Sequence, residues 1–218
     1  MDTAKNINLY MYRSLSYSYI LILQSKYSVD VKIDELRDIY IKSMHYFLQA
    51  FNKRNPIYAD ILNYVSLGVL LNIPDNNFRQ LIDYVKQMDK QAKPSGWTPD
   101  LLLWFMLNSR MKEQEKQKYA ETLAYPRLYN GLYKVIQAPN AAAAKDALNK
   151  YLDRRYNLNS NAPWYNSHLK DNSYRGYWAW EVAAVAKIMH IDDSDLKNNQ
   201  YYPYDMVHWA DNETTAKE

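Results

Sequence analysis

The stretch Ile33-Asp34-Glu35-Leu36-Arg37-Asp38-Ile39-Tyr40-Ile41-Lys42-Ser43-Met44-His45-Tyr46-Phe47-Leu48-Gln49-Ala50-Phe51 decides the fold class. Its apolar positions Ile33, Leu36, Tyr40, Met44, Phe47 and Phe51 are three or four residues apart. That spacing draws one stripe down a helix, whereas a strand needs alternation. The same reading applies to Phe78, Leu81, Ile82, Val85 and Met88, to Ala141, Ala144, Leu148 and Tyr151, and to Trp178, Val182, Val185 and Met189.

Punctuation separates the stripes. Asn55-Pro56 and Thr98-Pro99-Asp100 each place a capping side chain before a proline, with Asp100 expected in the first turn that follows. Pro74, Pro94-Ser95-Gly96, Pro126, Pro139 and Pro163 mark further breaks. The pattern predicts an all-α protein, an array or bundle of about eight to ten helices. The expected spans are 6–27, 32–53, 56–72, 76–91, 98–110, 113–122, 127–137, 140–156 and 176–190, with a short turn at 192–197. Only 4 glycines occur among 218 residues, too few for a chain of tight hairpins. The charged stretch 110–118 suggests an N-terminal helical region, 1–110, packed on a C-terminal helical domain, 111–218.

Composition narrows the function. With no cysteine there is no disulfide, no thiol chemistry and no Cys-based zinc site; a reducing, cytoplasmic setting suits such a chain. The longest apolar run, Leu101 to Leu107, is far short of the roughly 20 residues a membrane helix needs. The first residues lack the basic-then-apolar pattern of a signal peptide, so none is expected. The 22 tyrosines against 4 phenylalanines suggest Tyr standing in for Phe, in the core or at a wet interface.

Net charge is +3, unevenly spread. Residues 91–189 hold 14 bases and 8 acids, while 190–218 hold 2 bases and 7 acids. The basic run Arg110, Lys112, Lys116 and Lys118 alternates with Glu113, Glu115 and Glu121, the pattern of a solvated helix face.

The chain has no phosphate-binding glycine loop, no HExxH and no GxSxG. A metal set could be drawn from His190, Asp192, Asp193, His208 and Asp211. The plainer reading makes Asp192 or Asp193 the cap of a short helix around Leu196, with Asp195 in its first turn. Glu181, set in an apolar helix, is either an acid–base candidate or bonded to nearby Tyr or backbone groups. No metal, cofactor or catalytic residue is expected.

One segment carries more. Gly176-Tyr177-Trp178-Ala179-Trp180-Glu181 opens an alanine-rich helix, Ile191-Asp192-Asp193-Ser194 follows it, and Tyr201-Tyr202-Pro203-Tyr204-Asp205-Met206-Val207-His208 closes the run. This resembles the C-terminal signature of PoNi immunity proteins. Asn63-Tyr64-Val65-Ser66-Leu67-Gly68-Val69-Leu70-Leu71 is similar to the family's N-terminal region.

The resemblance implies a helical protein that protects its bacterium by binding a cognate PoNe-type DNase toxin of a polymorphic secretion system. Such a protein acts by association, not as an enzyme, with no membrane and no direct nucleic-acid partner. A nuclease presents positive charge to DNA, which an acidic partner surface can exploit. Candidate toxin contacts are therefore Asp192, Asp193, Asp195, Asp205 and Asp211 with Tyr201, Tyr204 and Trp209. Gly176, Tyr177, Trp178, Trp180, Glu181, Tyr202 and Pro203 form the family motif and fit a core role. The competing readings are a helical scaffold or adaptor, and a nucleic-acid-binding protein using the basic middle segment.

Overall fold

A computed structural model describes residues 3–50, 57–90, 97–169 and 176–209, with side chains from residue 8 onward. Every regular element among them is helical: α1 (Thr3–Ser28), α2 (Ile33–Ala50), α3 (Tyr58–Leu70), α4 (Asp75–Lys90), α5 (Leu101–Asn108), α6 (Pro126–Ile136), α7 (Ala141–Leu158), α8 (Trp180–Met189) and α9 (Tyr204–His208), with three short 3₁₀ turns. The expected all-α array is what the chain forms. Phe51, Asn55-Pro56, Pro94-Ser95-Gly96 and Asp211 lie outside the described residues.

The stripes become the core. Leu36, Tyr40, Met44 and Phe47 of α2 are buried, as are Phe78, Leu81, Ile82, Val85 and Met88 of α4. α1 and α2 form one antiparallel hairpin, and α6 and α7 another. Between them α3 lies against both α5 and α8. One continuous apolar cluster runs from Leu23 to Val207 and joins the two halves.

Tyrosine does stand in for phenylalanine, and its hydroxyls are put to use. Tyr40 donates to the Tyr64 carbonyl at 2.6 Å. The Tyr64 hydroxyl shares short bonds with Ser16 and Ser43, at 2.7 and 2.6 Å. A Phe at position 64 would leave the Ser16 hydroxyl without its partner.

Three local expectations need correction. First, Asp100 is the N-cap of α5, not a first-turn residue. Its buried carboxylate accepts from Leu103 N at 2.8 Å, Ala124 N at 2.7 Å and the Tyr58 hydroxyl at 2.8 Å. Burial raises its pKa, and those bonds oppose the rise.

Second, 113–122 is not a helix beyond a 3₁₀ turn at Glu113–Glu115. The Asn108 side chain makes two bonds to the Gln117 backbone, at 2.8 and 2.9 Å, and Leu101 N donates to Thr122 O at 3.0 Å. The segment is thus tied back along α5, and these backbone groups find partners without coiling. Arg110 belongs to no solvated face. It clamps the α3–α4 turn by donating to Ile73 O at 2.9 Å and to Asp75 at 2.5 Å.

Third, α8 starts only at Trp180. Gly176 has φ +85°, and a β-carbon there would sit 2.3 Å from Trp178 Nε1. The chain turns at this glycine before the helix can begin.

Candidate functional site

The motif at 176–208 is the joint of the molecule. Tyr27, at the end of α1, meets Trp178 and Trp180 edge-on, with ring centroids 4.7 and 5.3 Å away. Trp178 Nε1 donates to Ser28 Oγ at 2.9 Å. Ala179 N donates to Tyr201 O at 2.8 Å, which ties the entry of α8 to the YYP run. Tyr177 is buried and its hydroxyl accepts from His168 N at 2.9 Å. Pro203 caps α9.

Under this joint lies a buried ion pair. Arg155 of α7 donates through Nε to Glu181 Oε1 at 2.5 Å and through Nη2 to Oε2 at 3.2 Å. The same guanidinium donates to the carbonyls of Tyr177 and Trp178, each at 3.0 Å. Arg155 and Glu181 are only 7% and 4% exposed. Burial works against the charge on Arg155, but Glu181 outweighs it and holds the guanidinium above its ordinary pKa. The fork geometry explains the choice of Arg over Lys, since it serves a carboxylate and two carbonyls at once.

A cleft of about 590 Å³ opens above this pair. One wall is α1, with Arg13, Tyr17 and Leu21; another is α3, with Asp60 and Asn63; Trp164 and Trp178 stand opposite, and Arg155 and Glu181 lie at its floor. The volume is that of ordinary ligand and peptide sites.

The acidic end divides in two. Asp192 and Asp195 are at the surface, and both take the ammonium of Lys145, at 2.8 and 3.1 Å. Asn149 adds a bond to Asp195 at 3.0 Å. Lys145 and the Ser194 bonds hold Asp192 well below the usual carboxylate pKa. Asp205 is exposed as well.

Asp193 is not part of this surface. It is 3% exposed, accepts from the Tyr202 hydroxyl at 2.6 Å, and lies 2.8 Å from His208 Nε2. Burial and Asp193 together push the Tyr202 pKa far up. Nor does Asp193 cap the 3₁₀ turn with its side chain; Asp192 takes the Ser194 N–H instead, at 3.2 Å. Tyr201 stacks flat on Tyr156, with centroids 5.5 Å apart. Tyr204 lies against His208. Trp209 donates to Leu70 O at 2.8 Å under the guanidinium of Arg37. Asp211 is beyond the described residues.

Two family models divide the chain between them. Residues 2–83 match the PoNe immunity protein (PoNi) N-terminal model, and residues 98–206 match the PoNe immunity proteins (PoNi) C-terminal model. The chain belongs to the PoNi family. Among solved structures, protein PA2201 from Pseudomonas aeruginosa is similar in fold, with a TM-score of 0.65 at 18% identity over 96% of this chain and 78% of that one. No curated protein matches.

In this PoNi chain the motif residues Gly176, Tyr177, Trp178, Trp180, Glu181, Tyr202 and Pro203 all lie at the joint. Sequence reading missed Arg155, the partner of Glu181, because 26 residues separate them. The one signal was an arginine on the helix face continuing Leu148 and Tyr151, where a bare charge would not be tolerated. The cleft left no sequence signal, because its walls come from segments far apart in the chain. Among the described residues, no three His, Asp or Glu converge as a metal set, and no helix is long and apolar enough to cross a membrane.

Proposed function

We propose that this protein neutralises a cognate PoNe-type DNase toxin by binding it directly in the cytoplasm of the producing cell. The observation that carries this reading is the pair of family matches, which account for both halves of the chain. The surface suits the role. Asp192, Asp195 and Asp205 present carboxylates to solvent, and Tyr201, Tyr204 and Trp209 are half-buried. Such charges speed encounter with a basic nuclease and help select the partner. They do not need to supply most of the affinity, because exposed pairs contribute little.

Co-expression with a PoNe-type nuclease domain tests the reading. Cells making both proteins should grow, and the two should co-purify. Death of cells that express the protein well, with no complex recovered, would end it for that toxin.

A further inference from the structure

We propose that the cleft between α1 and the start of α8 is a socket for a basic side chain carried on a segment of the cognate toxin. The proposal rests on the immunity reading above and names where and how that partner is held.

The Asp60 carboxylate faces the cleft and accepts no hydrogen bond from the described residues, its backbone N–H donating to Ile57 O. Asn63, one turn along α3, faces it too, and its amide is likewise unspent. At the floor, each oxygen of Glu181 takes one N–H from Arg155, which leaves lone pairs on both.

Among the described residues Glu181 pairs with Arg155, while Asp60 feels the charge of Arg13 without a hydrogen bond from it. The two described arginines that line the cleft are committed. Arg155 is used by Glu181 and two carbonyls, and Arg13, which is not free, only partly offsets Asp60. The walls add aromatic rings: Tyr17, 60% exposed, on one side and Trp164 and Trp178 on the other. Two carboxylates, Asp60 and Glu181, with aromatic faces beside them are what a Lys or Arg side chain fits, through ion pairing and cation–π contact. A nuclease surface supplies such side chains.

Asp60 also separates binding from folding. Burial raises its pKa above the unfolded value, with Arg13 opposing. A raised folded-state pKa favours the protonated form, so ionised Asp60 lowers stability at neutral pH, although it lies in the first turn of α3 where the helix dipole favours it. A purely structural residue would cost stability when neutralised; a socket residue would not.

The test is calorimetric titration of the full chain into a catalytically inactivated PoNe-type nuclease domain, with thermal melts alongside. Wild type should bind. Asp60→Asn should bind about 30-fold or more weakly while melting no lower than wild type. Tyr17→Lys, at a rim position where the fold is not at stake, should weaken binding as well, and decides the matter alone if Asp60→Asn misfolds. The proposal is overturned if wild type binds and the folded variants bind within about threefold of it. Absence of any wild-type complex would instead overturn the immunity reading, and this proposal with it.

Discussion

Helix α7 carries two charge clusters that differ in everything but their chemistry. Near its start, Lys145 reaches out to Asp192 and Asp195 in water. Ten residues on, about 15 Å along the axis, Arg155 reaches inward to Glu181 in the core. Both tie α7 to the motif region. The inner pair leaves no choice: once Glu181 is buried, something must meet its charge, and Arg155 meets two loose carbonyls as well. The outer pair is optional for folding, so its carboxylates stay available to a partner. Burial, not charge, decides which acids are frame and which are surface.

The comparison breaks most easily at the inner pair. Glu181→Ala strands Arg155 in the core and should cost about 3–5 kcal/mol, read as a lowered urea midpoint. Replacing both partners with apolar residues, Arg155→Met with Glu181→Leu, should recover part of that loss, because no bare charge remains. The recovery will be incomplete if the Tyr177 and Trp178 carbonyls lose their donor.

Asp193→Ala comes next, at about 1–3 kcal/mol, since it leaves the buried Tyr202 hydroxyl unpartnered. Trp178→Phe, which deletes the bond to Ser28, should cost about 0.5–1.5 kcal/mol.

The outer pair closes the series. Lys145→Ala should lower the urea midpoint only slightly, because water screens an exposed pair. It should nonetheless change Asp192, whose folded-state pKa Lys145 depresses. A depressed pKa gives stability above the ordinary carboxylate range, lost as pH falls through the folded value. An NMR titration should find Asp192 ionised where a free aspartate, near pKa 3.9, is half protonated, and Lys145→Ala should move it back towards that value.

Sequence and structure agree best where a helical stripe is long. The α2 and α4 stripes were legible because helical spacing is a local property, and Pro126 marks the start of α6 where expected. The 113–122 segment was misread because its composition suits a helix, while Asn108 and Leu101 give its backbone other partners. α9 went unread because five residues show no period. At the surface, Asp192 and Asp193 are neighbours with one side chain type and opposite fates. No pattern in sequence tells which of two adjacent aspartates turns inward; Tyr202 and His208 decide it, and they arrive only with the fold.

The central claim is that association alone disarms the toxin, and a DNA-cleavage assay tests it most directly. Purified protein titrated into a fixed amount of PoNe-type nuclease domain should bring plasmid cleavage to nothing, with the two proteins eluting together. Undiminished cleavage in the presence of excess folded protein would contradict it.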